Sequence, residues 1–191
     1  MKNKKGTPNY IKKRKRTILL KNILEFGIVI TLVILGYVQA KTRTNLLTVV
    51  AVLGCLPAAK ALVELIMILP YHSIAEEKVA EIEEKTSSVT VAYDMVLTSE
   101  HHVMPIACIV VLDNTICGYA PHKKTDLNFA EKHIQQMLAQ NQFGHIVVKL
   151  FDDYTAFLNR VEAMNKIAVK ENEEIKTKEE AMCRLILNIS L

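Results

Sequence analysis

The sequence lacks the short motifs that usually identify an enzyme. It contains no G-x-x-x-x-G-K-S/T phosphate loop, no G-x-G-x-x-G, no G-x-S-x-G nucleophile motif and no H-E-x-x-H zinc motif. Its six histidines show no ligand spacing. We therefore predict no catalytic group, no metal and no cofactor, and the balance favours a protein that is not an enzyme.

Cysteines are few and are not arranged in pairs. Cys55 lies in an apolar run, and Cys108, Cys117 and Cys183 are scattered without C-x-x-C or Cys/His spacing. Such cysteines are typical of small apolar core residues in a reducing compartment. Cys108 and Cys117 could lie diagonally across one β-hairpin, where a reducing cytoplasm would keep both as thiols.

Acidic residues are absent from residues 1–21, which carry nine Lys and Arg. The rest of the chain holds 15 basic and 20 acidic side chains, a net charge of −5. The basic character therefore comes from one segment, and we predict no nucleic-acid partner. Five adjacent residues form the most basic part of this segment: Lys12, Lys13, Arg14, Lys15 and Arg16. They can attract anionic lipid head groups at about 1 kcal/mol per charge.

Two long apolar runs follow the basic segment. Residues 23–40 and 46–70 each approach the roughly 20 residues that cross a ~30 Å hydrocarbon layer. Two buried helices of a soluble bundle are the weaker interpretation, since only five residues separate the runs. We predict a basic tail over 1–21, a transmembrane hairpin over 22–71 and a separate domain over 72–191.

The charge distribution predicts the topology of the hairpin. The basic tail outweighs Lys41 and Arg43 in the connecting loop, so both chain termini are expected in the cytoplasm. A rival interpretation is a signal peptide cleaved after Val38-Gln39-Ala40, for which the basic and apolar regions are both long. Under either interpretation the C-terminal domain is expected in the cytoplasm.

Three charged residues lie within or beside the apolar runs. Lys60 and Glu64 are four residues apart on one helix face, and Glu25 would reach a similar depth in an antiparallel hairpin. We expect these charges to pair and fix the register of the hairpin. A proton or ion path, or a contact with a partner subunit, are the alternatives.

The periodicity after residue 72 predicts a small α/β (α+β) domain of order αβββαβαα with a mixed sheet. We expect helix 74–85, strands 88–98, 104–112 and 115–119, a helix opened by an Asn128–Glu131 capping box, strand 145–151, a helix capped by Asp152 or Asp153, and a last helix from Thr177. Val89, Val91, Tyr93, Met95 and Leu97 alternate strictly and should share one face of the first strand. The last helix should pack its apolar stripe on the domain or on a second copy.

Two loops are candidate sites. Pro121–Asp126 joins a strand end to a helix start, and His122, Lys123 and Lys124 there could bind an anion at free helix N–H groups. Glu100-His101-His102 is expected at a hairpin tip, where a solvated turn is favoured over a zinc or pH-sensing site.

The element order resembles the αβββαβ layout of restriction-endonuclease-like proteins over about residues 73–151. The resemblance would place an acid and a D/E-x-K motif on neighbouring strands, but the matching strand Thr115-Ile-Cys-Gly-Tyr119 has no such motif. The whole chain, through NLLTVVAVLGCLPAAKAL, VAYDMVLTSE and ILNISL, resembles a family of small, uncharacterised bacterial two-span membrane proteins. That resemblance implies the bacterial plasma membrane and no particular activity.

These observations favour a membrane-anchored cytoplasmic interaction or regulatory module. It would bind a protein partner or itself through a sheet edge or the final helix, with the lipid bilayer as its second partner. The alternative is a membrane-bound enzyme or binding protein for a phosphate-bearing ligand, using Lys123, Lys124 and Asp94. A small subunit of a transporter complex is a third hypothesis.

Overall fold

The computed structural model describes residues 5–40, 46–99, 102–122, 125–168 and 173–190. These residues form six helices and a four-stranded mixed sheet, as the predicted α+β class requires. The elements are α1 (Tyr10–Ala40), α2 (Leu46–Ile68), α3 (Glu76–Lys85), β1 (Thr90–Thr98), β2 (Val103–Leu112), β3 (Thr115–Tyr119), α4 (Leu127–Gln140), β4 (Val147–Phe151), α5 (Tyr154–Ile167) and α6 (Glu173–Asn188).

The chain divides into two compact units. The α+β unit combines the segment that ends at Tyr10 with the chain from Ser73 onward, and the helix-pair unit runs from Ile11 to His72. The short N-terminal segment therefore belongs to the same unit as the sheet. Sequence periodicity gave no sign of this, because the segment precedes the first apolar run.

The sheet has the order β1-β2-β3-β4. The first three strands are antiparallel neighbours, and β4 runs parallel to β3. Asp113 and Asn114 form the tight turn between β2 and β3, where Asp113 has the positive φ of 45° that such hairpin turns use. The parallel pair needs a crossover, which α4 supplies.

Helices cover both faces of the sheet. One core cluster joins the sheet to α4 and α6 through Ile109, Ile134 and Met182, and the other joins it to α3 and α5 through Ile82, Val110 and Phe157. Both clusters consist of side chains almost fully removed from water, which is the main stabilising term for such a domain. The run of apolar residues in β2 reflects this double coverage.

The predicted alternation along β1 is wrong after Tyr93. Met95 and Leu97 lie in the same core cluster as Ala92, on the face opposite Tyr93. The cause is Asp94, whose φ of 54° interrupts the extended backbone and reverses the phase of the side chains that follow. The pairing with β2 keeps one register on both sides of the break.

The start of α4 also differs from the prediction. Asp126 caps this helix, since its carboxylate accepts a hydrogen bond from the Phe129 amide at 3.0 Å. The capping box predicted at Asn128–Glu131 is therefore wrong. Glu131 instead accepts a hydrogen bond from the amide of Leu150 in β4, at 2.8 Å. At the start of α5 the expected Asp153 cap is present.

The last helix begins earlier than predicted and packs on the sheet. Its first residue is Glu173, and Thr177 lies inside it with its hydroxyl bonded to the Glu173 carbonyl. Met182 and Ile186 are buried in the core cluster on that face. The expectation that α6 packs on the domain is confirmed.

In the helix-pair unit, α1 is long and apolar enough over Tyr10–Val38 to cross a membrane. It begins at Tyr10, so the cluster Lys12–Arg16 lies on its first turns rather than in an extended tail. The helix α2 is strongly apolar and contains Pro57. The two helices run antiparallel, because contacts join Lys15 to Leu69 and Asn22 to Ala61.

Small residues of α2 let the two helices approach closely. Ala58 and Ala61 are buried, and a Cβ added at Gly54 would lie 3.2 Å from Val29 Cγ2. On α1, the buried positions after Tyr10 repeat with spacings of seven, four, seven and seven residues: Ile11, Ile18, Asn22, Val29 and Gly36. This repeat and the small residues opposite it are typical of close helix packing in membrane proteins.

Candidate functional site

The charged residues of the helix pair do not make the predicted pairs. Glu64 bonds to Arg14 of the basic cluster, with 2.9 Å between Nη2 and Oε1. Glu25 lies 3.6 Å from Lys21, one turn away on α1. Lys60 is exposed, and no ion pair joins it to Glu25 or Glu64 among the described residues. Arg14 takes the place expected for Lys60 because the basic cluster is helical and faces α2.

The basic cluster therefore has two roles in the helix pair. Arg14 and Lys15 face α2, and the Lys15 ammonium donates to the Leu69 carbonyl just after the end of α2, at 2.6 Å. A cation stabilises such a helix end, where carbonyl groups lack intrahelical partners. Lys13 and Arg16 are exposed.

Asn22 is a contact of the helix pair that the sequence analysis missed. It is 4% exposed, and its amide donates to the carbonyls of Ile18 and Ala61, both at 3.0 Å. A polar amide at the helix interface links the two helices more specifically than apolar packing does. The only sign of this contact in the sequence is an asparagine beside a long apolar run, which does not show which helix it would meet.

The predicted anion loop is only partly described. His122 is exposed, whereas Lys123 and Lys124 lie outside the described residues. Carboxylates of Asp126 and Asp153 already occupy the amides at the starts of α4 and α5. A phosphate approaching these two helix ends would therefore meet negative charge, which offsets the favourable helix dipole.

A cluster that the sequence analysis did not identify lies where α3, β3 and α5 meet. The Lys78 ammonium is 4.4 Å from the Tyr154 ring centroid and 5.2 Å from that of Tyr119. The Tyr154 hydroxyl donates to Glu81 Oε2 at 2.8 Å. Burial, and then this hydrogen bond, raise the pKa of Tyr154, so the phenol stays protonated at neutral pH. The cluster joins two helices to the sheet and holds Lys78 against aromatic rings.

Other polar groups that could serve chemistry are used by the fold. Asp94 is buried, and its Oδ1 accepts a hydrogen bond from the Ile74 amide at 3.1 Å. Glu179 is buried and accepts from the Thr90 hydroxyl and the Asp113 amide, both at 2.8 Å. In the part of the chain that the structure describes, no three His, Cys, Asp or Glu side chains are placed to hold a metal ion.

The predicted histidine turn falls mostly outside the described residues, which omit Glu100 and His101. His102 is exposed, and its ring centroid lies 4.4 Å from that of Phe129 in α4. The Phe129 ring in turn stacks on His133. This aromatic contact connects the β1–β2 hairpin to the start of α4.

The outer edge of β1 is covered by both ends of the α+β unit. Residues Lys5–Asn9, here called the strap, reach it from the N-terminal side: Gly6 pairs with Tyr93, whose amide donates to the Gly6 carbonyl at 3.0 Å. From the C-terminal side, Ser190 pairs with Leu97. Covering an edge strand in this way prevents unwanted pairing with other chains.

The strap is also bonded to two helices. The Lys5 ammonium donates to the carbonyls of Ser190 at 2.6 Å and Leu187 at 3.3 Å, at the end of α6. Asn9 donates to Glu76 at the start of α3, at 3.1 Å. The strap thus occupies a site formed by β1 and the end of α6, next to the first residue of α1.

Comparison with known proteins found no relative of this chain. No family model matches the chain, no curated protein matches it, and no solved structure matches it. The resemblances to the restriction-endonuclease-like layout and to the bacterial two-span family remain predictions from the sequence.

Proposed function

We propose that this protein is a membrane-anchored interaction module without enzymatic activity. In this proposal α1 and α2 cross the bacterial plasma membrane as a hairpin, both termini are cytoplasmic, and the α+β unit binds a protein partner or a second copy. The basic cluster contacts anionic lipid head groups at the cytoplasmic surface.

The observation that carries the proposal is the apolar outer surface of the helix pair. Large apolar side chains on both helices are exposed, among them Leu20, Leu24 and Val38 on α1 and Leu53, Leu56 and Ile66 on α2. Apolar surface of this extent is unfavourable in water and favourable in a bilayer. Small residues and Asn22 hold the helices together on the inner side.

The chemistry of the α+β unit supports binding rather than catalysis. Its buried carboxylates accept backbone and hydroxyl hydrogen bonds, and aspartates fill the helix ends that an anion would need. Buried polar groups used in this way stabilise one fold and leave little reactive potential.

The membrane part of the proposal can be tested by extraction and flotation. The full chain should remain in the membrane after an alkaline carbonate wash and should float with liposomes. Ile34→Asp, on an exposed face of α1, should lower the inserted fraction, because a charge at bilayer depth costs about 2.5–3.5 kcal/mol. The matched variant Ile34→Leu should insert normally. Release of the wild-type chain from the membrane by carbonate would contradict the proposal that the helix pair is a membrane anchor.

The binding part can be tested against the phosphate-ligand alternative. Photo-cross-linking residues at Thr98 on β1 and Val147 on β4 probe the two opposite edges of the sheet. We expect a discrete cross-linked protein adduct in intact cells, and no change in the melting temperature of the purified full chain with Mg²⁺, inorganic phosphate or ATP. A rise of several degrees with phosphate or ATP, without adducts, would favour the alternative.

A further inference from the structure

We propose that the β1 edge and the end of α6 form a docking site for an extended peptide segment in which a basic residue precedes glycine, and that the strap is its built-in occupant. This inference names the surface and the partner chemistry of the proposed interaction module, and so rests on that function. A partner segment of the same chemistry would displace the strap and take its place on β1.

The site selects a basic residue through the end of α6. Two carbonyl oxygens there, of Leu187 and Ser190, both accept from the Lys5 ammonium. Helix C-terminal carbonyls carry partial negative charge and lack intrahelical donors, so a side chain with several N–H groups and a positive charge fits them best.

The site selects glycine at the following position. Gly6 has a φ of +81°, which side chains disfavour. A Cβ added there would lie 2.8 Å from Leu187 Cδ1 and 3.5 Å from the Cβ of Ala92. A side chain at this position would be strained by the backbone and would have to displace the end of Leu187, whereas glycine lets its carbonyl accept from the Tyr93 amide.

The pairing geometry is that of strand addition. Gly6 pairs with Tyr93 as a single antiparallel bridge on the outer side of the edge strand. Peptides commonly bind an exposed sheet edge in this way, with main-chain hydrogen bonds for affinity and side-chain contacts for selectivity. Beside the bridge, side-chain hydrogen bonds of Lys5 and Asn9 connect the strap to α6 and α3, and its residues are only partly buried.

The strap competes with any partner because it is part of the same chain. Its effective concentration at β1 is set by the connection through α1 and α2, and a free peptide must compete with it. A free peptide will therefore bind the wild-type chain weakly and will bind well only when the strap is weakened. The variant Gly6→Val provides this weakening, since a β-branched residue is strained at a φ of +81° and also crowds the end of Leu187.

The test uses the full chain in detergent micelles and a labelled peptide of residues 2–9. The peptide should bind the Gly6→Val chain about tenfold or more tightly than the wild-type chain, because the intramolecular competitor is lost. Hydrogen exchange at the Tyr93 amide should be faster in Gly6→Val than in wild type, and adding the peptide should restore protection. A control peptide with valine in place of glycine should bind neither chain.

Three results would overturn the proposal. The Tyr93 amide could stay protected in Gly6→Val, the valine peptide could bind as well as the glycine peptide, or the glycine peptide could fail to restore protection. If Gly6→Val does not fold, Lys5→Ala replaces it, because this change keeps the backbone conformation at Gly6. The Lys5→Ala chain should show the same gain in peptide binding. A Lys5→Ala chain without that gain would also contradict the docking site. These readouts do not depend on membrane insertion, so a failed anchor and a failed docking site are distinguishable.

Discussion

At the scale of single residues, buried carboxylates hold separate elements of the α+β unit together. Glu179 of α6 reaches the first residue of β1 and the turn after β2, through Thr90 and Asp113. A buried charge is costly unless hydrogen bonds satisfy it, and here two donors do so. The carboxylate therefore fixes the position of α6 along the sheet.

Replacing this carboxylate should destabilise the fold. Glu179→Ala leaves the Thr90 hydroxyl and the Asp113 amide without their partner, which should cost about 1–3 kcal/mol. Glu180→Ala is the matched control, because Glu180 is exposed and pairs with Arg184 one turn away, so its loss should cost about 0.5 kcal/mol or less. Thermal melting of the full chain in detergent would show the difference, and equal losses would contradict it.

Buried thiols should make the fold sensitive to alkali. Burial raises the pKa of Cys117 and of Cys183 from 9.0 to about 12. Between these values the folded chain keeps protons that the unfolded chain releases, so stability falls as pH rises from about 9 towards 12 and is unaffected by these groups below that range. The melting temperature should therefore drop over this interval.

The control for this prediction is the double variant Cys117→Ala with Cys183→Ala. It is less stable overall, because two buried side chains are shortened. Its melting temperature should nevertheless fall less steeply with pH than that of the wild type. Identical slopes for the two proteins would show that the thiols do not titrate with unfolding.

At the scale of elements, helix caps decide where α4 begins. Asp126→Ala removes the acceptor for the Phe129 amide and should cost about 1 kcal/mol. Asn128→Ala, at the position predicted from sequence as the cap, should be nearly neutral or slightly stabilising, because Asn128 is exposed within the helix. The melting temperatures of both variants test whether Asp126 is the cap. A larger loss of stability for Asn128→Ala would show that Asn128 is the cap instead.

Close packing of α1 against α2 should depend on Gly54 of α2 and not on Gly27 of α1. A Cβ at Gly54 is already tight against Val29, so the larger leucine of Gly54→Leu should overpack the interface and destabilise the helix pair by about 1–3 kcal/mol. Gly27→Leu meets no atom within 4 Å of its Cβ and should be neutral or stabilising, since leucine favours helix over glycine. Thermal stability in detergent distinguishes them, and equal behaviour would show that the helices are not closely packed at Gly54.

The elements themselves could be predicted, whereas several of their details could not. The apolar periods indicate the mixed sheet, both cores and the packing of α6, because burial imposes a period on any element. The phase reversal at Asp94 depends on one backbone angle, and alternation alone cannot show it. The Asn128 capping box competed with an equally suitable aspartate two residues earlier, and the sequence does not decide between them.

The contacts of the candidate sites were harder to predict for a different reason. Arg14 pairs with Glu64 and Lys5 with the end of α6 across 50 and 185 positions of sequence. Such pairs depend on which helix faces meet, and local spacing favours the nearer partner Lys60. The strap on β1 likewise leaves no periodic pattern, because only one of its residues joins the sheet.

At the scale of the whole molecule, charge is unevenly distributed along the chain. Nine basic residues lie in the first 21 positions, and the rest of the chain carries a net charge of −5. Two positions of the basic cluster, Arg14 and Lys15, also bond to groups of α2 within the helix pair. In the proposed membrane hairpin, the cluster would therefore set orientation during insertion and stabilise the helix pair afterwards, through different side chains.

The proposed orientation can be tested by moving these charges. A reporter fused after Leu191 should be active in the cytoplasm and inactive outside it, because positive residues stay on the cytoplasmic side. Lys12→Gln, Lys13→Gln and Arg16→Gln remove three charges and leave Arg14 and Lys15 in place, so the contacts of these two residues are kept. Combined with two lysines added to the loop at 41–45, they should move a fraction of the reporter to the outside. The same loop lysines with the cluster intact are the control and should leave the orientation unchanged. Activity of the wild-type reporter only outside the membrane would reverse the proposed topology, and insensitivity to both changes would show that other residues determine it.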